Sequence, residues 1–144
     1  MRKFLLVGCG GSGGATLAYM MDQLRSDLAD YGVSTIPAAW QFVHIDVPTA
    51  PSEVAVGSVR TQGGTYIGTG PQTDNYKVLD TSVAGFLNGN REMASIATWA
   101  PRDPGEVTVP ISEGAGQYRA GGRMITLNQV SRVKEALTNA WRTL

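Results

Sequence analysis

The stretch Lys3-Phe-Leu-Leu-Val-Gly-Cys-Gly-Gly-Ser-Gly-Gly14 decides the fold. Residues 3–8 form a short apolar run that ends in glycine, which is typical of a buried strand. After the glycine-rich loop 8–14, apolar residues recur every three or four positions from Ala15 to Tyr31 and predict an amphipathic helix. Gly32 follows, where a helix C-cap glycine is expected.

The next apolar stretch, from Trp40 to Val47, is rich in β-branched and aromatic residues and predicts a second strand. Strand, glycine loop, helix and strand make a βαβ unit, in which the two strands are parallel and the crossover is right-handed. Both strands are expected to lie in the centre of the sheet. The sequence therefore predicts an α/β fold with a parallel sheet and flanking helices.

The rest of the chain gives weaker patterns. Frequent Pro, Gly, Ser and Thr predict a loop over residues 49–73. A helix is predicted over residues 91–100, and a short strand over residues 107–109. After a further glycine patch at 114–122, apolar residues every three or four positions predict one helix with a core-facing stripe. The stripe consists of Met124, Leu127, Val130, Val133, Leu137 and Trp141.

Composition excludes several classes of protein. The 144 residues carry 12 basic and 12 acidic side chains, so the net charge gives no electrostatic footprint for nucleic acid. The single cysteine, Cys9, excludes an internal disulfide and a cysteine-based metal site. No run approaches the roughly 18 apolar residues of a membrane span, and the run after Lys3 is too short for a signal peptide. We expect one domain in the cytoplasm.

The glycine loop contains the pattern GxGxxG between a predicted strand and a predicted helix, which is the context that gives this motif meaning. Glycines let backbone N–H groups approach a phosphate, and the helix N-terminus adds partial positive charge. No Walker-type GxxxxGK[ST] is present, so backbone amides and the Ser12 hydroxyl are expected to hold phosphates. The candidate residues are Gly8, Gly10, Gly11, Ser12, Gly13 and Gly14.

Asp46 lies near the end of the second predicted strand, at the sheet edge where α/β folds bind ligands. Its carboxylate fits three roles: binding a ribose, holding Mg²⁺ beside phosphates, or bonding to loop amides. Asp46 follows Gly13 by 33 residues, against about 20 in dinucleotide-binding folds, which weakens the ribose interpretation. His44, the only histidine, is interpreted as a packed and hydrogen-bonded strand residue.

Four segments resemble the tubulin/FtsZ superfamily, especially bacterial tubulin-like proteins, and occur in the family's order. Lys3–Gly14 is similar to the first phosphate loop of FtsZ, and Phe42–Thr49 to the "FVDLEPT" region of tubulin. Val59–Tyr66 resembles the tubulin segment "VRTGTY", and Gly116–Gly122 resembles the γ-phosphate-sensing loop "NNYARGH". The resemblance implies a Rossmann-like parallel sheet with flanking helices over residues 1–144, the N-terminal half of a tubulin/FtsZ-type GTPase domain.

The resemblance also implies ligands and partners. GTP would be bound with Mg²⁺, Asp46 would lie near the metal, and Gly116, Gln117 and Tyr118 would line the γ-phosphate side. Self-association, or a place in a larger tubulin-like assembly, belongs to the same expectation. In tubulins, hydrolysis is completed across a subunit contact by a residue that has no counterpart here.

The sequence departs from the family pattern in several places. Ala15 replaces the asparagine that commonly closes the first FtsZ loop. The GGGTGSG signature loop, the guanine-reading helix and the acidic activating loop have no counterpart in the 144 residues. We therefore expect a domain that is incomplete at its C-terminus, binds nucleotide weakly, and is a GTPase only when completed by those loops.

Three alternatives stay open at the level of sequence. GxGxxG and Asp46 also fit a fragment of an NAD(P)-binding Rossmann oxidoreductase. A GxGGxG loop after the first strand also fits a fragment of a ThiF-type adenylating enzyme, although the SNLxRQ-like segment of that class is missing. The third alternative is a non-enzymatic assembly module.

Overall fold

The computed structural model of the chain describes residues 2–71, 75–81, 98, 103–108, 110–112, 114 and 119–144. The strands are β1 (Phe4–Cys9), β2 (Trp40–Asp46) and β3 (Thr65–Gly68). The main helices are α1 (Gly10–Ala29), α2 (Arg119–Asn128) and α3 (Val130–Thr143). Residues 76–81 are also helical, and Pro104–Glu106 form a 3-10 turn. None of the helices in these ranges is both long and apolar enough to cross a membrane.

The three strands form one parallel sheet in the order β1-β2-β3. Phe4 lies opposite Trp40 at the start of the first ladder, and Val43 lies opposite Thr65 in the second. The predicted α/β fold with a parallel sheet and flanking helices is thus confirmed. Only β2 has neighbours on both sides among the strands described, whereas β1 was also expected to be central. Phe4 on β1 is accordingly 45% exposed.

The sheet is covered on both faces, because successive residues of a strand point to opposite sides. Phe42 on β2 belongs to a cluster with Leu17 and Met21 of α1. Its neighbour Val43 belongs to a second cluster with Ala140 of α3. The central strand is therefore sandwiched between α1 and α3, and this arrangement fixes where its carboxyl end emerges.

Helix α1 begins at Gly10, whereas the sequence pattern placed its first residue at Ala15. Glycine has a helix propensity about 1 kcal/mol worse than alanine, so local preference favours a loop here. Packing against the sheet overrides that preference, and most of the predicted loop becomes the first turns of α1.

The predicted loop 49–73 contains strand β3, which is only four residues long. The preceding segment is tied to α1 by side-chain hydrogen bonds. The Gln62 side-chain amide donates to the carbonyls of Ala18 (2.9 Å) and Val56 (3.0 Å), and Arg25 donates to Gln62. These bonds hold the segment before β3 against α1 and so help to place β3 beside β2.

The long C-terminal helix of the sequence pattern is two helices, separated at Gln129, whose backbone is not helical (φ −114°, ψ 18°). Its apolar stripe is divided accordingly. Met124 of α2 packs against Ile111, and Leu137 of α3 packs against the sheet. Trp141, predicted to face the core, is 69% exposed.

Two further predictions fall largely outside the described residues. Of the helix expected over 91–100, only Thr98 is described. Of the strand expected over 107–109, residues 107 and 108 are described and do not belong to a strand.

Candidate functional site

A cavity of about 870 Å³ lies beyond the carboxyl ends of all three strands. This is the edge of a parallel α/β sheet at which ligands bind. Its walls come from the β1–α1 junction, the end of β2, the residue after β3, Gly114 and one side of α2. The polar and glycine residues that matter most are Gly10, Gly11, Asp46, Thr69, Arg119 and Arg123.

The N-terminus of α1 forms the first wall, through Gly10 and Gly11. The first N–H groups of an α-helix have no partner within the helix, and the residue before α1, Cys9, supplies no side-chain cap. The φ angle of Gly10 is 71°, a left-handed value that favours glycine at this turn. Ser12 is exposed and does not line the cavity. Its backbone carbonyl accepts a hydrogen bond from the Thr16 hydroxyl at 2.9 Å. This helix end favours an anion.

The other three glycines of the motif do not line the cavity but allow close packing behind it. A Cβ on Gly8 would lie 2.5 Å from the carbonyl oxygen of Gly13, so the two backbones are in direct contact. A Cβ on Gly14 would overlap the imidazole ring of His44. The structure thus divides the five glycines of the predicted phosphate loop into two that line the cavity and three that bring α1 against the sheet.

Asp46 forms the second wall, with its side chain 17% exposed. Its Oδ1 accepts the N–H of Val47 at 2.8 Å, and its Oδ2 lies 3.7 Å from Nε2 of His44. Its backbone carbonyl accepts both the N–H (2.7 Å) and the hydroxyl (3.1 Å) of Thr69. These bonds fix the carboxylate at the edge of the cavity.

The donor set fits a magnesium ion that is shared with a phosphate ligand. In the described ranges, no three His, Cys, Asp or Glu side chains form a group able to hold a metal by themselves. Mg²⁺ usually keeps several waters and takes one or two carboxylates together with substrate phosphates. Asp46 supplies one such carboxylate next to a helix end that favours phosphate.

His44 lies behind the cavity, close to both Gly10 and Asp46. It is only 3% exposed, and its Nε2 lies 3.1 Å from the carbonyl oxygen of Gly10. The ring meets Tyr66 edge to face, with centroids 5.0 Å apart. His44 is therefore packed and hydrogen-bonded, as its place in the strand predicted.

Tyr66 supports the loop that follows Asp46. Its hydroxyl donates to the carbonyl of Pro48 at 2.5 Å. Burial, and next the nearby negative charge of Asp46, raise the pKa of Tyr66 to about 12. The phenol consequently keeps its proton, and with it this bond, to higher pH than an exposed tyrosine would.

Helix α2 forms the remaining wall, and its positive charges were missed by the sequence analysis. Arg119 and Arg123 stand one helical turn apart and both line the cavity. The available signal was a pair of arginines four residues apart, at the point where the glycine patch leads into the predicted helix. Together with the α1 N-terminus they make the cavity suited to an anionic ligand.

The predicted γ-phosphate-side residues, Gly116, Gln117 and Tyr118, lie outside the described residues. In the sequence they stand between Gly114 and Arg119, both of which line the cavity.

The structure defines an α/β protein with a cavity at the carboxyl edge of a parallel sheet, lined by a helix N-terminus, a carboxylate and two arginines. A family model described as "Tubulin like" matches residues 5–144, and the chain belongs to this tubulin-like family. The match confirms the resemblance to the tubulin/FtsZ superfamily. Comparison with curated proteins and comparison with solved structures each return no match.

Proposed function

We propose that this chain binds GTP, with its phosphates in the cavity at the carboxyl edge of the sheet. The observation that carries the proposal is convergence. The N-terminus of α1, the carboxylate of Asp46, and Arg119 and Arg123 of α2 come from distant parts of the sequence and line one cavity. Its volume of about 870 Å³ lies within the 300–1,000 Å³ common for ligand pockets.

Each wall has a distinct task in this proposal. The backbone N–H groups of Gly10 and Gly11 donate to phosphate oxygens, as helix N-termini do in many phosphate sites. The two arginines neutralise and orient phosphates from α2, where guanidinium groups suit phosphate geometry. Asp46 holds Mg²⁺ directly or through water, and the ion supplies neutralisation of phosphate charge.

The choice of guanine as the base rests on the family alone, because the tubulin/FtsZ superfamily that this chain resembles implies GTP as the ligand. The same resemblance supports self-association or a larger assembly, and a cytoplasmic location. Hydrolysis is not proposed for the chain by itself, because the resemblance assigns its completion to a residue across a subunit contact.

Thermal-shift titrations with GTP, ATP and NAD, each with Mg²⁺, test the proposal. A ligand that binds only the folded state raises the melting temperature as its concentration increases. We expect a rise with GTP that exceeds those with ATP and NAD. A larger rise with ATP would favour an adenylating enzyme, one with NAD a dehydrogenase, and no rise with any of them an assembly module.

A further inference from the structure

The hydrogen bond between His44 and Gly10 acts on the peptide group that opens the phosphate site. The carbonyl oxygen of Gly10 and the N–H of Gly11 belong to one planar trans peptide group, in which C=O and N–H point in opposite directions. His44 holds the carbonyl end from the sheet side, at 3.1 Å. Gly11, at the other end, lines the cavity.

This peptide group is less restricted in its rotation by its own two residues than most peptide groups are. It joins two glycines, so no Cβ on either side restricts its rotation. Gly10 already has a left-handed φ of 71°, and Cβ atoms added to Gly10 or Gly11 would meet nothing within 4 Å. Neighbouring side chains therefore do not restrain the peptide by crowding, and the bond to His44 adds a directional restraint to that of the first turn of α1.

We propose that His44 is a positioning residue: its Nε2–H holds the Gly10 carbonyl and thereby directs the Gly11 N–H into the cavity. The inference rests on the proposed function, since the ligand of that N–H is a nucleotide phosphate. It also accounts for Gly14, because only a residue without Cβ leaves room for the imidazole at this place.

The contacts of the ring assign the two nitrogens different roles. Nε2 faces the Gly10 acceptor, which places the ring hydrogen on Nε2. Nδ1 is buried and has no hydrogen-bond partner within the described part of the chain. Only a side chain that donates from the Nε2 position can therefore replace His44.

A pair of variants separates this role from a merely structural one. The side-chain amide nitrogen of glutamine reaches about as far from the backbone as Nε2, and that of asparagine about as far as Nδ1. Both His44→Gln and His44→Asn place a neutral amide at the same buried position. GTP affinity is measured by calorimetry with Mg²⁺, and the amide resonance of Gly11 is recorded by NMR with and without GTP.

We expect His44→Gln to bind GTP within about twofold of the wild type and His44→Asn to bind it about tenfold more weakly, the loss of one hydrogen bond to a charged group. The Gly11 amide resonance of the ligand-free protein should be kept in the glutamine variant and displaced in the asparagine variant. Equal affinities and an unmoved Gly11 resonance in both variants would overturn the inference. If the wild type binds no GTP, the proposed function fails, and the ligand-free Gly11 resonances still decide the role of His44.

Discussion

At the scale of single residues, Arg119 and Arg123 distinguish this cavity from a simple gap beside a sheet. In the proposed complex, replacing either by alanine removes a charge-assisted contact to phosphate, worth about 1.5–3 kcal/mol. We predict that Arg123→Ala and Arg119→Ala each weaken GTP binding by about 10- to 150-fold, as measured by calorimetry.

The matched control for this prediction is Arg132→Ala. Arg132 is an exposed arginine of α3 and is not among the cavity residues. Its removal should leave GTP affinity unchanged and serves to correct for loss of overall positive charge. Affinities of both cavity variants equal to that of the control would show that α2 does not touch the phosphates.

Tyr66 gives the protein a specific sensitivity to alkaline pH. Its pKa is raised from 10.0 to about 12, so the folded state holds the phenolic proton more tightly than the unfolded state does. Its contribution to the free energy of unfolding is present below about pH 10 and is lost as pH rises toward about 12. We predict that the wild type loses more stability across this interval than Tyr66→Phe does.

Urea unfolding of both proteins at several alkaline pH values measures this difference. Lysines and the other tyrosines titrate in both proteins and cancel in the comparison. At neutral pH, Tyr66→Phe should cost about 1 kcal/mol, because the bond from its hydroxyl to the Pro48 carbonyl is lost. Parallel stability curves for the two proteins in alkali would contradict the prediction.

The residues of the site were predicted unevenly, and for physical reasons. The glycine motif and the strand-end acid have local signatures, and Gly10, Gly11 and Asp46 do line the cavity. Arg119 and Arg123 have no such motif, since their role depends on where α2 packs. Gly8 and its partners resemble phosphate-binding glycines in sequence, and only the packed backbone shows that they bring helix and sheet together.

At the scale of elements, the contact between α1 and β2 depends on the absence of one methyl group. A Cβ at position 14 would overlap the ring of His44, which is buried between the two elements. We predict that Gly14→Ala destabilises the fold by about 1–3 kcal/mol, the usual cost of overpacking. The melting temperature and urea unfolding measure this loss.

Gly11→Ala is the matched control, because the same substitution in the same helix meets open space. There, alanine should be neutral or stabilising by about 0.5–1 kcal/mol, the difference in helix propensity. Adding His44→Ala to Gly14→Ala should recover part of the lost stability, since the clashing ring is removed. Equal effects of alanine at positions 11 and 14 would refute this account of the α1–β2 contact.

Elements with a strong apolar period were predicted well, and those decided by tertiary contacts were not. Strands β1 and β2 lie within one residue of their predicted bounds and pair in parallel. Strand β3 was missed because four residues give too little periodicity to separate it from a Gly- and Thr-rich loop. The break at Gln129 was missed because glutamine is a good helix former, so its sequence gives no stop signal.

At the scale of the whole molecule, the site exists only because the fold joins segments that lie far apart in the sequence. Gly11, Asp46 and Arg123 span most of the chain and line one cavity. Helix α2 shares the core with residues 76–81 through Tyr76, Leu79 and Met124. A change in that cluster is therefore expected to move the arginines as well as to destabilise the fold.

The residues that line the cavity predict that GTP is bound but not hydrolysed. Hydrolysis needs a group that orients water toward the terminal phosphate. Asp46 is the carboxylate among the described cavity residues, and its Oδ1 is already engaged by the Val47 N–H while its Oδ2 lies 3.7 Å from Nε2 of His44. In the proposed complex Mg²⁺ occupies this carboxylate, which leaves no second carboxylate among the described cavity residues to orient water. We predict that the chain binds GTP with Mg²⁺ and releases no phosphate above background over many binding lifetimes.

A phosphate-release assay under conditions in which calorimetry shows GTP bound measures this prediction, and Asp46→Asn provides the internal comparison. The asparagine variant should lose the gain in GTP affinity that Mg²⁺ gives the wild type, because an amide is a weaker ligand for a hard cation than a carboxylate. Its phosphate release should stay at the same background. Sustained release by the wild type would contradict the prediction, and its disappearance in Asp46→Asn would show that turnover depends on this carboxylate, directly or through Mg²⁺.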